Sequence, residues 1–378
     1  MRSPMPYDMT LASIYHMRVM TKRAYNLSAG PATLPLEVLE EVQSNLISYR
    51  GSGVGIMEMS HRSKAFEEII QATEANLREL LSIGDNYSVL FTTGGATNQF
   101  SMIPLNLRAK NQTADFIITG SWAEKALEEA ARFGEVHIAA SSKDKKFSFI
   151  PTELNLSSNP AYVHFTSNNT IAGTQFSKEP EVGSNVLVCD ASSDLLHKKI
   201  DINKYGLIYA GAQKNLGPAG VTVVIIRKDL LERVPQDLPI MLNYKTYSDN
   251  QSMYNTPPTL PIYVVGEVFK WLKKNGGLDE MYKTNKEKAQ ILYSFLDSSD
   301  FYQGLAEPAS RSLMNVTFRI SKSELEATFI DEAKKAGFSE LKGHRSVGGL
   351  RASIYNAFPK EGVSALVEFM KEFQAKNA

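Results

Sequence analysis

From about residue 35 to 230, short apolar runs alternate with stretches whose apolar residues recur every three or four positions. Phe66, Ile69, Ile70, Leu77, Leu80 and Leu81 fall at helical spacing before Gly84. Ser88-Val-Leu-Phe-Thr-Thr93 then reads as a buried strand running into Gly94-Gly95. Asp115-Phe-Ile-Ile-Thr-Gly120 is another, followed by a helix from Ser121 to Phe133 that stops at Gly134. Val136 to Ala140, Tyr162 to Phe165, Asn185 to Cys189, Leu207 to Ala210 and Val221 to Ile226 are further strand-length runs. This alternation predicts an α/β fold in which helices cover a mostly parallel sheet.

From Gly276-Gly277 the texture changes. A charged amphipathic helix from Leu278 to Leu296 leads to the strand Met314 to Ile320; a helix through Lys335, a short strand and a last helix from Glu361 follow. The expectation is a large domain at 24–275, whose first residues pack with the other unit, and a smaller α+β domain at 276–378. Residues 1–23 carry Arg2, Arg18, Lys22 and Arg23 against Asp8 alone. They read as a disordered extension, or as residues ahead of a true start at Met20, and lack the Arg and Ser density of an organellar targeting segment.

Composition narrows the function classes. The chain has 378 residues, 43% of them hydrophobic, enough for one large core and a smaller second one. Lys plus Arg and Asp plus Glu both count 41, which argues against nucleic acid or an anionic membrane as the main partner. With Cys189 the one cysteine, an intramolecular disulfide or a Cys-rich metal site is impossible, and a cytoplasmic setting is expected. No apolar run has the length of a membrane span.

Ligands of such sheets sit beyond the carboxyl ends of the strands, and three strand ends carry unusual polar groups. Asp190 closes Asn185 to Cys189. Lys214 follows Leu207-Ile-Tyr-Ala-Gly-Ala212 and precedes the turn Gly217 to Gly220. Gly94-Gly95-Ala96-Thr97 opens a helix whose free N–H groups suit a phosphate. Taken singly, each has a plainer reading: a solvated lysine, a capping aspartate, a tight turn. Together they supply a phosphate cradle, an acid and an amine one strand away, which are the needs of pyridoxal phosphate. The amine must be neutral to react, and desolvation lowers its pKa.

Tyr209-Ala-Gly-Ala-Gln-Lys-Asn-Leu-Gly-Pro-Ala-Gly220 resembles the lysine segment of the phosphoserine aminotransferases, a fold-type I pyridoxal-phosphate family. The resemblance runs from Tyr25-Asn-Leu-Ser-Ala-Gly-Pro31 essentially to the C-terminus. It includes Met57-Glu-Met-Ser-His-Arg62, Ser252-Met-Tyr-Asn-Thr-Pro-Pro258 and Gly343-His-Arg-Ser-Val-Gly-Gly-Leu-Arg-Ala-Ser353. It implies that Lys214 bonds the cofactor and later moves the proton, and that Asp190 pairs with the pyridinium nitrogen. Trp122 would stack on the ring and Thr170 would bond its phenolic oxygen. Gln213, Ala96 and Thr97 would hold the phosphate; some relatives carry Gly-Arg at the last two positions, so one basic side chain is absent here. Asn255 and Thr256 would reach the phosphate of a neighbouring subunit, which makes a homodimer the expected state. Arg351 would take the substrate α-carboxylate, and His61, Arg62, His344 and Arg345 its phosphate or side-chain carboxylate.

The activity so implied is reversible transfer of an amino group between O-phospho-L-serine and 2-oxoglutarate in serine biosynthesis; 4-phosphohydroxy-L-threonine, which some bacterial relatives accept, stays open as a second substrate. A cysteine desulfurase is disfavoured because Cys189 abuts Asp190 at a strand end. An alanine–glyoxylate aminotransferase has no use for two His-Arg pairs. A catalytically silent cofactor-binding protein has nothing in the residues to support it. Gly211-Ala-Gln-Lys lacks the glycine spacing of a phosphate-binding nucleotide loop.

Overall fold

The computed structural model describes residues 23–378, so the extension expected at residues 1–23 lies, Arg23 apart, outside them. Its centre is a seven-stranded sheet. In chain order the strands are β1 (Tyr87–Thr92), β2 (Ala114–Ile118), β3 (Val136–Ser141), β4 (Val163–Thr166), β5 (Leu187–Asp190), β6 (Leu207–Gly211) and β7 (Thr222–Arg227). Their order in space is β1-β7-β6-β5-β4-β2-β3. Only β7 runs antiparallel to its neighbours. The carboxyl ends of β1, β2, β4, β5 and β6 therefore share one edge, where the chain turns at Thr92, Ile118, Thr166, Asp190 and Gly211.

The helices of this part are α1 (Leu36–Asn45), α2 (Lys64–Leu81), α3 (Gly95–Leu107), α4 (Ser121–Ala130) and α5 (Thr259–Lys274). The apolar stripe anticipated on α2 is buried as Phe66, Ile69, Ile70, Leu77, Leu80 and Leu81. α4 ends at Ala130, and Ala131 to Phe133 finish as a turn rather than as helix. The periodicity gave no element at 259–274, because Ile262-Tyr-Val-Val265 and Val268-Phe269 suit a strand as well as a helix. Packing decides for the helix: Gly266 meets Thr73 of α2 so closely that a Cβ there would clash with the Thr73 hydroxyl.

Further along come α6 (Gly277–Asp297), β8 (Tyr302–Gly304), β9 (Asn315–Ile320), α7 (Glu326–Lys335), β10 (Leu350–Ser353) and α8 (Lys360–Asn377). β8, β9 and β10 form an antiparallel three-stranded sheet. Tyr25–Asn26 pair in parallel with Phe338–Ser339, and Leu27 joins the apolar cluster built from α6, α7, α8 and this small sheet. α6 spans two cores: Leu278 and Met281 pack with the large-sheet residues, and Ala289, Leu292 and Leu296 with the second cluster.

Candidate active site

The shared strand edge collects the polar groups. Asp190 is the last residue of β5, opposite Tyr209 of β6, and Lys214 lies just past the end of β6. Trp122 sits in the first turn of α4, directly after β2. Thr170 tips a short hairpin (Asn168–Asn169 with Thr174–Gln175) that follows β4. Lys214 Nζ donates to Thr170 Oγ1 at 2.8 Å and lies 5.5 Å from the centroid of the Trp122 ring. Arg351, on β10, donates from Nη1 to the Thr170 carbonyl at 3.3 Å. Its Nε is buried without a partner among the described residues.

Burial dominates the electrostatics. It pulls the Lys214 amine down to about 8, with Asp190 opposing and Arg351 reinforcing the shift. Burial also raises the Asp190 carboxyl, against Lys214 and a hydrogen bond from the Ser192 N–H at 3.0 Å. Both members of this pair are thus pushed toward their neutral forms. A cation brought beside Asp190 would be stabilised by a carboxylate that is only 4% exposed.

α3 starts without a side-chain cap: its N-cap is Gly94 at φ 87°, so the first-turn N–H groups around Ala96 and Thr97 face outward. A Cβ on Gly94 would come within 2.6 Å of Asn98 Cβ, so the turn requires glycine in both conformation and space. Gln213 is half-buried beside Lys214, and its carbonyl accepts from the Ala32 N–H at 2.9 Å.

His344 and Arg345 occupy the loop before β10. The His344 ring bonds the Ser346 hydroxyl at 2.7 Å. Burial, then the charges of Arg351, Arg345 and Lys125, hold its pKa below the usual value. Arg351, Arg345 and Lys125 thus gather positive charge around His344, and Arg351 also acts on Lys214. His61 and Arg62 stand in the turn before α2, and no contact in one chain joins them to Lys214 among the described residues. Asn255 and Thr256 are exposed ahead of α5, likewise apart from the site of their own chain.

Two residues escaped the sequence reading. Lys125 places its ammonium 4.4 Å from the Trp122 ring centroid; its spacing of three from Trp122 on a helix was the available signal. Asp194 is buried, accepting from the Ser167 hydroxyl and from Gln175 Nε2 at 3.0 Å. Ser167 donates its N–H to the Asp190 carbonyl at 3.0 Å, so Asp194 braces the end of β5.

A model of the aminotransferase class-V family matches residues 24–366, and the chain belongs to that family. Within it the similarity is to phosphoserine aminotransferases. That of Desulfatibacillum aliphaticivorans is 54% identical over 360 residues, covering 95% of this chain and 100% of the relative. That of Lysinibacillus sphaericus (strain C3-41) is 54% identical over 361 residues, with 95% and 100% covered. Among solved structures, the phosphoserine aminotransferase of Bacillus circulans subsp. alkalophilus superposes with a TM-score of 0.93 at 50% identity, covering 95% of this chain and 100% of that one. A PLP-bound phosphoserine aminotransferase from Trichomonas vaginalis gives 0.88 at 40% identity, covering 92% and 100%.

Proposed function

We propose that this chain is a pyridoxal-phosphate-dependent phosphoserine aminotransferase. It interconverts O-phospho-L-serine plus 2-oxoglutarate with 3-phosphooxypyruvate plus L-glutamate, in cytoplasmic serine biosynthesis. The observation that carries the reading is the Lys214 ammonium held between Thr170 Oγ1, at 2.8 Å, and the Trp122 ring, one strand from buried Asp190. The residues fit the cofactor. Asp190 is a desolvated acid suited to a protonated ring nitrogen, Trp122 offers a flat face, and the uncapped start of α3 suits a phosphate.

When bound, pyridoxal phosphate supplies the electron sink that makes the substrate's α-proton removable, and it carries the amino group between the two half-reactions. Lys214 would take that proton from the substrate and hand it across the transferred nitrogen to the cofactor carbon that keeps the amino group. An amine drawn down to about 8 has a useful neutral fraction near neutral pH, which a solvated lysine lacks. Thr170 fixes the position of the Lys214 amine and is itself fixed through its carbonyl by Arg351. Arg351 keeps unbonded N–H capacity and receives the α-carboxylate; His344, Arg345, His61 and Arg62 receive the second anion. Ala96, Thr97 and Gln213 hold the cofactor phosphate. Asn255 and Thr256, exposed and unused in their own chain, complete that cradle in a second copy, so the working unit is a homodimer.

The test is Lys214→Ala. The purified wild-type protein should be yellow and lose its colour with glutamate alone, and the variant should lose at least about 10²-fold in turnover with its proton-transfer base. Full turnover by the variant would refute the assignment.

A further inference from the structure

Beside the site lies a cleft of about 820 Å³, large enough for a small-molecule ligand. Its walls are the immediate chain neighbours of three site residues: Ser121 precedes Trp122, Ile171 and Ala172 follow Thr170, and Ser346 follows Arg345. Lys143, Lys145, Lys146 and Arg319 line it together with Phe147, Ser148, Leu305 and Val347, and no carboxylate does.

The surrounding charges answer these four only in part. Lys143 pairs with Glu124 at 2.7 Å, and Asp144 lies in the same short turn. Glu307 accepts from the Ser148 hydroxyl at 3.3 Å. Lys145 rests 5.1 Å from the Phe149 ring centroid, and Lys146, at φ 54°, has no partner among the described residues. Arg319 uses Nη2 on the Val347 carbonyl, which pins the loop bearing His344 and Arg345; its other N–H groups are unbonded among the described residues. That contact needs room over Gly348 and Gly349, both at positive φ, since a Cβ on Gly349 would lie 3.1 Å from Arg319 Cγ.

We infer that this cleft is a capture site for the phosphorylated substrate, a phosphate monoester that also carries a carboxylate, on its way to Lys214. The inference rests on the function proposed above. Lys145, Lys146 and Arg319, none of them ion-paired among the described residues, leave an excess of positive charge along a concave wall, which raises the local concentration of a multiply charged anion and speeds its productive encounter. Arg319 links capture to the site, because an anion drawn to its free N–H groups lies beside the loop that presents His344 and Arg345.

The experiment uses the holoenzyme and two variants, K145Q/K146Q and K146E, none of the altered residues belonging to the catalytic set. The apparent second-order rate of the cofactor's spectral change with phosphoserine is measured at low ionic strength and in about 1 M salt, where screening acts within roughly 3 Å. The expected result is a loss of about tenfold at low salt, larger for K146E, that disappears at high salt, with kcat unchanged. Glutamate, with less negative charge, should lose less. Equal rates at low salt would overturn the inference, as would a loss that persists in high salt or lowers kcat. A wild-type protein that ignores phosphoserine would sink the function itself, and the capture role with it.

Discussion

Lys288→Met perturbs an ammonium that the fold buries without an acid. Lys288 is 0% exposed on α6, and its Nζ donates to the carbonyls of Ile354, Tyr355 and Phe358 at 3.0, 2.7 and 3.1 Å. These carbonyls belong to the segment that leaves β10 just after Arg351. The same segment returns to the catalytic loop, because the Asn356 N–H donates to Asn215 Oδ1 at 3.0 Å, one residue past Lys214. Burial pulls the Lys288 amine from 10.5 down to about 7. The folded protein thus releases this proton as pH rises through about 7, while the unfolded chain keeps it until near 10.5. Between those values the unfolded state binds more protons, so folding stability rises with pH, by up to about 1.4 kcal/mol per unit. From pH 7 to 9.5, allowing for half-titration at the start, Lys288 should add about 3 kcal/mol. At pH 6 the variant loses three charge-assisted hydrogen bonds but also escapes a desolvation penalty of similar size, so the difference there should be small. The assay is urea unfolding of the holoenzyme and K288M from pH 6 to 9.5. Every other titrating group is common to both, so the difference between the two curves isolates Lys288. Wild type should gain on the variant by about 3 kcal/mol over the upper range. Parallel curves would refute the reasoning, and would mean that the three carbonyls keep the ammonium charged throughout.

Three further outcomes are expected. Gly94→Ala places a side chain at φ 87° against Asn98; strain of about 1–3 kcal/mol should weaken pyridoxal-phosphate retention by about 5–150-fold, read by dialysis. His344 sits among cations that hold its pKa down. A bound phosphate reverses that field, so phosphoserine binding should take up a proton and its KM should rise with pH across neutrality, a rise that His344→Gln removes. Mixing inactive Lys214→Ala subunits with Asn255→Ala/Thr256→Ala subunits should restore activity, because the hybrid dimer contains one intact site; no recovery after subunit exchange would contradict a shared site.

The strand-end logic was readable because buried strands write themselves as short apolar runs, and the sheet edge follows from their direction. Asp190 and Lys214 could each be placed just after an apolar run, Asn185 to Cys189 and Leu207 to Ala212, and the sheet order makes those two strands neighbours. What the residues meant chemically came from the family string around Lys214. The helix at 259–274 was not legible, since its β-branched and aromatic residues serve either period and only the packing of Gly266 on Thr73 selects one. His61 and Arg62 expose a different limit: the string Met57 to Arg62 names a chemistry, and no contact within one chain joins these two to Lys214 among the described residues. Lys288 did not stand out in the charged helix from Leu278 to Leu296, because its three carbonyl partners come from residues 354–358, beyond any local pattern.

The most direct test of the proposed chemistry is to add L-glutamate alone to the purified holoenzyme, follow the visible absorbance, and then add 3-phosphooxypyruvate. Loss of the colour with glutamate and its return with the phosphorylated keto acid, together with release of phosphoserine, is the expected result. A visible band that neither substrate alters would contradict it.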